Sequence, residues 1–243
     1  MEPRTVTAGQ GWQWIVDGYL LFSRNALVWI TITILMGILM ILSMTLPTVG
    51  PLLFNLMLPV LSGGLMLGCR ATEEGKELEI VHLIAAFRTH ATPLVTVGGV
   101  QLVGTMLILM AVMATASGAT ALTMGAKPPD METMMTTIRS MAVPIILGSA
   151  LYVLLMMLLW YAPVLVVFRN IAPVPAMKLS FDACWRNMMP FTVYGLALGV
   201  LWLIASIPLL LGLVVLIPVI TCSIYVSYKD IFQENVRIDA PMS

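Results

Sequence analysis

Charge is scarce in this chain. Only 10% of its 243 residues are Asp, Glu, Lys or Arg, against about a quarter in an ordinary soluble domain. Acidic and basic residues balance at 12 each, and no loop carries a long basic run, so nothing favours a nucleic-acid partner. Only two histidines occur, His82 and His90, with no carboxylate or thiolate set around them that would make a zinc site. The cysteines Cys69, Cys184 and Cys222 are widely spaced and form no CxxC pair or disulfide framework. The first 25 residues mix Gln10, Gln13 and Asp17 with aromatics and lack the basic, apolar and small-residue regions of a signal peptide, so the N-terminus is expected to be retained. No motif identifies a reaction or a cofactor, and a non-enzymatic protein is expected.

What is present is hydrophobicity: 60% of the chain is apolar. Six stretches free of Asp, Glu, Lys and Arg, 26–46, 51–69, 94–114, 143–168, 191–207 and 208–228, approach or exceed the roughly 20 residues needed to cross a bilayer. Hydrocarbon offers backbone amides no partner, so each should be helical. The sequence therefore predicts an all-α integral membrane protein, a single polytopic domain over 1–243 with six spans in three hairpins. Pro47–Gly50 turns the first hairpin and Ser206–Pro208 the last. Ten of the twelve basic residues fall on one side of these spans, with only Lys127 and Arg139 on the other. The positive-inside rule then puts both termini in the cytoplasm.

A weak threefold repeat runs through the chain over 8–70, 78–169 and 175–230, with a periplasmic linker at 115–142 inserted in the middle unit. Each unit opens on a short segment carrying an aromatic and an arginine: Phe22 with Arg24, Phe87 with Arg88, and Trp185 with Arg186. Each second span carries Pro-Val, at Pro59, Pro163 and Pro218, and such prolines kink helices. The opening segments have helical periodicity. Trp12, Val16, Tyr19 and Leu20 form one stripe; Ile80, Ile84 and Phe87 a weaker one; Met177, Phe181, Cys184, Trp185 and Met188 a third, opposite Lys178, Asp182 and Arg186. Such helices lie along the headgroup boundary, and Arg24, Arg88 and Arg186 are candidates for binding anionic headgroups beside Phe22, Phe87 and Trp185.

Other candidates are more conventional. Gly64 with Gly68 and Gly195 with Gly199 have the GxxxG spacing that lets helices approach, within a chain or in a homo-oligomer. Asn55, Gln101, Ser149 and Ser206 are among the polar groups of the spans and suit helix–helix hydrogen bonds. The acidic run Glu73, Glu74, Glu77 and Glu79 reads as a solvated linker. Met131, Met134 and Met135, flanked by Met124 and Met141, could hold Cu(I), but the remaining methionines of a total of 20 point to flexible packing.

The motif Gly11-Trp12-Gln13-Trp14 with Gly18–Phe22, and Ala162-Pro163-Val164 followed by Ala176–Phe181, resemble a group of uncharacterised proteobacterial inner-membrane proteins. More distantly, the pattern is similar to the membrane domain fused to some glycerophosphodiester phosphodiesterases. The resemblance implies a bacterial inner-membrane location and a lipid-related setting; the phosphodiesterase catalytic domain has no counterpart here. The sequence thus supports a structural or accessory membrane protein whose partners are lipid or another membrane protein. The alternative is a transporter or carrier of an apolar or lipid-like solute, though without the ionisable spans that proton-driven transport uses.

Overall fold

The computed structural model describes residues 2–121, 131–208 and 210–233, and side chains for all of these except 116–121, 132–134, 136–138 and 140. The described chain is helical without strands. Its helices are α1 (Gln10–Ser23), α2 (Ala26–Ser43), α3 (Val49–Glu73), α4 (His82–Thr89), α5 (Ala91–Ala121), α6 (Met131–Leu159), α7 (Ala162–Arg169), α8 (Pro173–Arg186), α9 (Met188–Ser206) and α10 (Leu213–Phe232). Six stretches are long and apolar enough to cross a membrane: Ala26–Ser43, Val49–Glu73, Ala91–Thr115, Met141–Arg169, Met188–Ser206 and Leu213–Phe232.

The order short helix, long helix, long helix recurs three times. Each short helix passes into the next at one residue that breaks the helical backbone: Asn25 (φ −137°, ψ 42°), His90 (φ −134°, ψ 26°) and Asn187 (φ −117°, ψ 33°). At each break the carbonyl of that residue still accepts the next helix's first bond, from Trp29, Leu94 and Phe191 respectively.

Burial separates the two long helices in the first and third units. The outer ones, α2, α5 and α9, are mostly exposed, as lipid-facing helices must be, with 17%, 11% and 11% of their spans buried. α3 and α10 are interior, with 50% and 61% of their spans buried, whereas the Met141–Arg169 span is 22% buried and contributes to the interior through α7. Pro59-Val60, Pro163-Val164 and Pro218-Val219 are all buried. Each short helix packs on the interior helix of the preceding unit: α4 on α3, α8 on α6 and α7, and α1 back on α10. The ring is thereby closed. α5 lies on α3 and α2 on α10 in the same sense, but α9 leans on α1 and α10 instead of α6.

Several boundaries differ from the sequence expectation. The fourth span is broken at Trp160 and Tyr161. Pro163 has no N–H for the residue before the break, and the Ser180 hydroxyl enters the gap, accepting from Tyr161 N at 2.9 Å and donating to Met157 O at 2.7 Å. That hydroxyl replaces the helical bond those two groups would have shared. Helix α5 runs to Ala121 and α6 starts at Met131, so most of the expected 115–142 linker is helix: long helices propagate past the apolar stretch when Ala and Met follow. Lys127 and Met124 lie outside the described residues. Helix α9 ends at Ser206 and α10 starts at Leu213, so Pro208 belongs to the connection and not to the sixth span.

Candidate functional site: a central cavity and a basic rim

The short helices share one end of the bundle, that of the C-termini of α3, α7 and α10. There α10 is tied down from both sides. Lys229 forms an ion pair with Glu73 of α3, and Tyr225 donates to the other Glu73 oxygen at 2.7 Å. On the opposite side Asp230 pairs with Arg4 and accepts from Trp14 Nε1 at 2.9 Å. Arg4 also caps the helix, its amide donating to Ile231 O and its Nε to Asp230 O; helix C-termini leave such carbonyls without partners. Asn187 holds the same N-terminal segment, accepting from Val6 N and donating to Arg4 O, both at 2.9 Å. Cys69 and Cys222 are buried with their sulfurs 3.9 Å apart as free thiols.

The three arginines at the helix junctions differ. Arg24 and Arg88 are exposed and have no ion pair or hydrogen bond among the described residues. Arg186 is held by Asp182 at 2.9 Å and reaches Glu2 at 3.6 Å; the Asp182 carboxylate raises its pKa. Their aromatics also differ. Trp185 is exposed and stacks on Phe181 at 5.8 Å between centroids, Phe87 packs against the core, and Phe22 is buried within it. Phe22, expected beside the headgroups, thus packs inside the protein. The α1 stripe Trp12, Tyr19 and Leu20 is exposed, free to face a headgroup boundary, while the other side of α1 buries Trp14, Gly18, Leu21 and Phe22 against α10 and its neighbours. Sequence could not tell these faces apart because both are apolar.

The glycine pairs separate as well. A Cβ on Gly64 would lie 2.4 Å from His82 O, and one on Gly68 would lie 2.8 Å from Leu78 Cδ1, so this pair admits the approach to α4 inside the chain. Gly195 and Gly199 have open space around them. Of the expected helix–helix hydrogen bonders, Asn55 and Ser206 instead bond their own helices, at Pro51 O and Trp202 O. In the acidic run, Glu74 meets Lys76 and Arg70, and its carboxyl is held below the ordinary value chiefly by the Lys76 hydrogen bond. His82 and His90 bond locally to Glu79 and Thr89, and no group of three or more metal-binding His, Cys, Asp or Glu side chains occurs among the described residues. Met131 and Met135 are exposed, while the Met134 side chain lies outside the described set.

The sequence left the interior unread. A cavity of about 280 Å³ lies among the proline-bearing helices, lined by Pro59, Ser62 and Met66 of α3, Gln101 of α5, Trp160, Pro163 of α7 and Thr221 of α10. Gln101 follows the start of α5 by ten residues, and Ser62 and Thr221 precede the ends of their helices by eleven. At 1.5 Å per residue all are about 15 Å from the junction end, near the middle of a hydrocarbon core about 30 Å thick. Trp160 and Met156 also wall a second, apolar groove of about 400 Å³ toward Phe191, Tyr194 and Gly195 of α9. This groove occupies the gap left where α9 departs from the ring; at the α6–α7 break Phe191 and Tyr194 lie edge-on to Trp160.

Six apolar helices with charge confined to their ends define a polytopic helical membrane protein. Over 96% of its length the chain is 33% identical to a probable inner membrane protein of Burkholderia thailandensis, 94% of which is covered. The chain belongs to that protein's family, and is an inner-membrane protein. No protein-family model matches the sequence, and no solved structure does. The relative agrees with the resemblance to inner-membrane proteins and gives no support to the phosphodiesterase one.

Proposed function

We propose that this protein is an accessory component of the inner membrane that engages anionic lipid at its cytoplasmic face, without catalytic chemistry of its own. The observation that carries this reading is the pair Arg24 and Arg88: one and two residues before a helix junction, exposed at the starts of outer spans and free of any carboxylate among the described residues. A guanidinium there can reach phosphate with two parallel hydrogen bonds, while its stem lies along apolar surface. Each contributes about 1 kcal/mol near an anionic surface. Arg186, already compensated by Asp182, contributes less. The apolar groove beside α9 offers a seat for an acyl chain.

The test compares lipid selectivity in matched nanodiscs. An R24Q/R88Q variant is expected to lose most of the preference for anionic over zwitterionic lipid, and R186Q to keep it. An unchanged preference in the folded double variant refutes the lipid role and leaves these arginines as topology signals.

A second reading, a carrier of an apolar or lipid-like solute, is favoured by the central cavity. Three proline-bearing helices surround it, and non-ideal helices of this kind line the substrate sites of transporters.

A further inference from the structure

We infer that the central cavity is a binding site for a neutral, membrane-soluble molecule with a hydrogen-bonding carbonyl head and a hydrocarbon tail, the chemistry of a prenylated quinone. Most polar side chains of the spans satisfy themselves on their own helix. Asn55 bonds Pro51 O, Thr96 bonds Thr92 O, Thr221 bonds Ile217 O and Ser206 bonds Trp202 O. Ser62 and Gln101 do not: both face the cavity, and neither side chain has a hydrogen-bond partner among the described residues. A primary amide presents two donors and a carbonyl; half-buried Gln101 offers them to this pocket, and the Trp160 indole N–H in the same lining is buried without a partner, which is costly. Gln101 is thus matched by an occupant bearing a polar group, and a plain acyl chain cannot supply one.

Charge narrows the class further. Among the described residues no ionisable side chain lines the cavity, and a charged head brought to the bilayer centre would need a counter-ion there. The head is therefore neutral. Size excludes a whole phospholipid: about 280 Å³ sits at the small end of ligand sites, which start near 300 Å³. It suits a ring with its first tail carbons. The rest of the lining, Leu58, Met66, Val97 and Pro163 among it, is the apolar wall expected around a few orienting polar groups. The inference rests on the cavity alone and is independent of the arginine rim.

The experiment uses the full chain in nanodiscs of zwitterionic phospholipid and a short-chain benzoquinone, decyl-ubiquinone, as probe. Binding is read by quenching of tryptophan fluorescence, with W160F locating the signal. The expected result is saturable quenching that weakens about tenfold in Q101L, the equivalent of one lost hydrogen bond, and disappears in L58W, where the larger side chain fills the cavity. Dodecane should not compete. Quenching that is non-saturable, or equal in wild type and Q101L, overturns the inference and assigns Gln101 to water. Competition by dodecane at equal strength also overturns it, leaving a hydrocarbon-filled void. If Q101L does not fold, S62A carries the same expectation. R24Q/R88Q should leave quinone binding unchanged, so failure here and failure of the lipid reading are separable.

Discussion

Single residues decide where this protein is closely packed and where it is open. A Cβ at Gly64 would collide with the backbone carbonyls of His82 and Leu83, and a side chain cannot rotate away from backbone. Gly64→Leu is expected to lower stability by about 1–3 kcal/mol, as overpacking does, whereas Gly195→Leu and Gly199→Leu should change it by less than about 0.5 kcal/mol. Thermal unfolding in detergent checks both. The GxxxG spacing was legible for both pairs; which one had a partner was not, because spacing says nothing about what lies opposite. Cys184, in the short helix α8, gives a pH prediction. Burial pushes its thiol up from 9.0 to about 12. Between those values the unfolded thiol has lost its proton and the folded one has kept it, so stability falls as pH rises from about 9. The slope is at most about 1.4 kcal/mol per pH unit for one group. Subtracting the same titration of Cys184→Ala isolates it; an identical pH slope in that variant would contradict the assignment. The unpartnered Gln101 is the residue whose meaning only the fold reveals. In sequence it was one of several polar groups in apolar spans, and the other helices had to be in place before its neighbours were known.

At the scale of elements, the six spans were legible because runs of apolar residues bounded by charge have one stable outcome in a bilayer. Their ends were less legible, since helices α5 and α6 continue past the apolar windows. The break in the fourth span was legible only as a proline. Ser180, nineteen residues from Tyr161 in sequence, supplies the hydroxyl that satisfies it, and no local pattern announces such a contact. Ser180→Ala should leave the Tyr161 amide and Met157 carbonyl without their partner at a cost of about 1–3 kcal/mol. Ser180→Val would add volume without restoring the bonds, so that variant should be no more stable than Ser180→Ala. The Glu73–Lys229 pair joins α3 to α10 in the same way. Removing one partner from a buried pair is strongly destabilising, by about 3–5 kcal/mol, because the other charge stays buried. Lys229→Met alone should therefore cost more than the double variant with Glu73→Gln, and unfolding of the three variants side by side measures the difference.

The whole molecule is a closed ring of three similar units, each docking its short helix on the interior helix of the unit before. A repeat was expected from the aromatic–arginine and Pro-Val pairs. The closure was not, because α1 meets α10 across more than 200 residues and nothing in either segment names the other. The departure of α9 from the ring, which opens the groove beside Trp160, was equally hidden. This architecture makes one demand on topology: the junctions at Asn25, His90 and Asn187 must lie on the same side of the membrane, and we propose from the basic residues that this side is cytoplasmic. The three native thiols are buried, so single exposed cysteines can be introduced at Ser23, Thr89 and Trp185 near the junctions and at Thr48 and Ile207 in the opposite turns. Labelling with a membrane-impermeant maleimide then reads the sidedness directly. The account predicts that Ser23→Cys, Thr89→Cys and Trp185→Cys react only in inside-out vesicles, while Thr48→Cys and Ile207→Cys react from outside in intact cells. Labelling of any one junction site from outside would contradict the six-span ring.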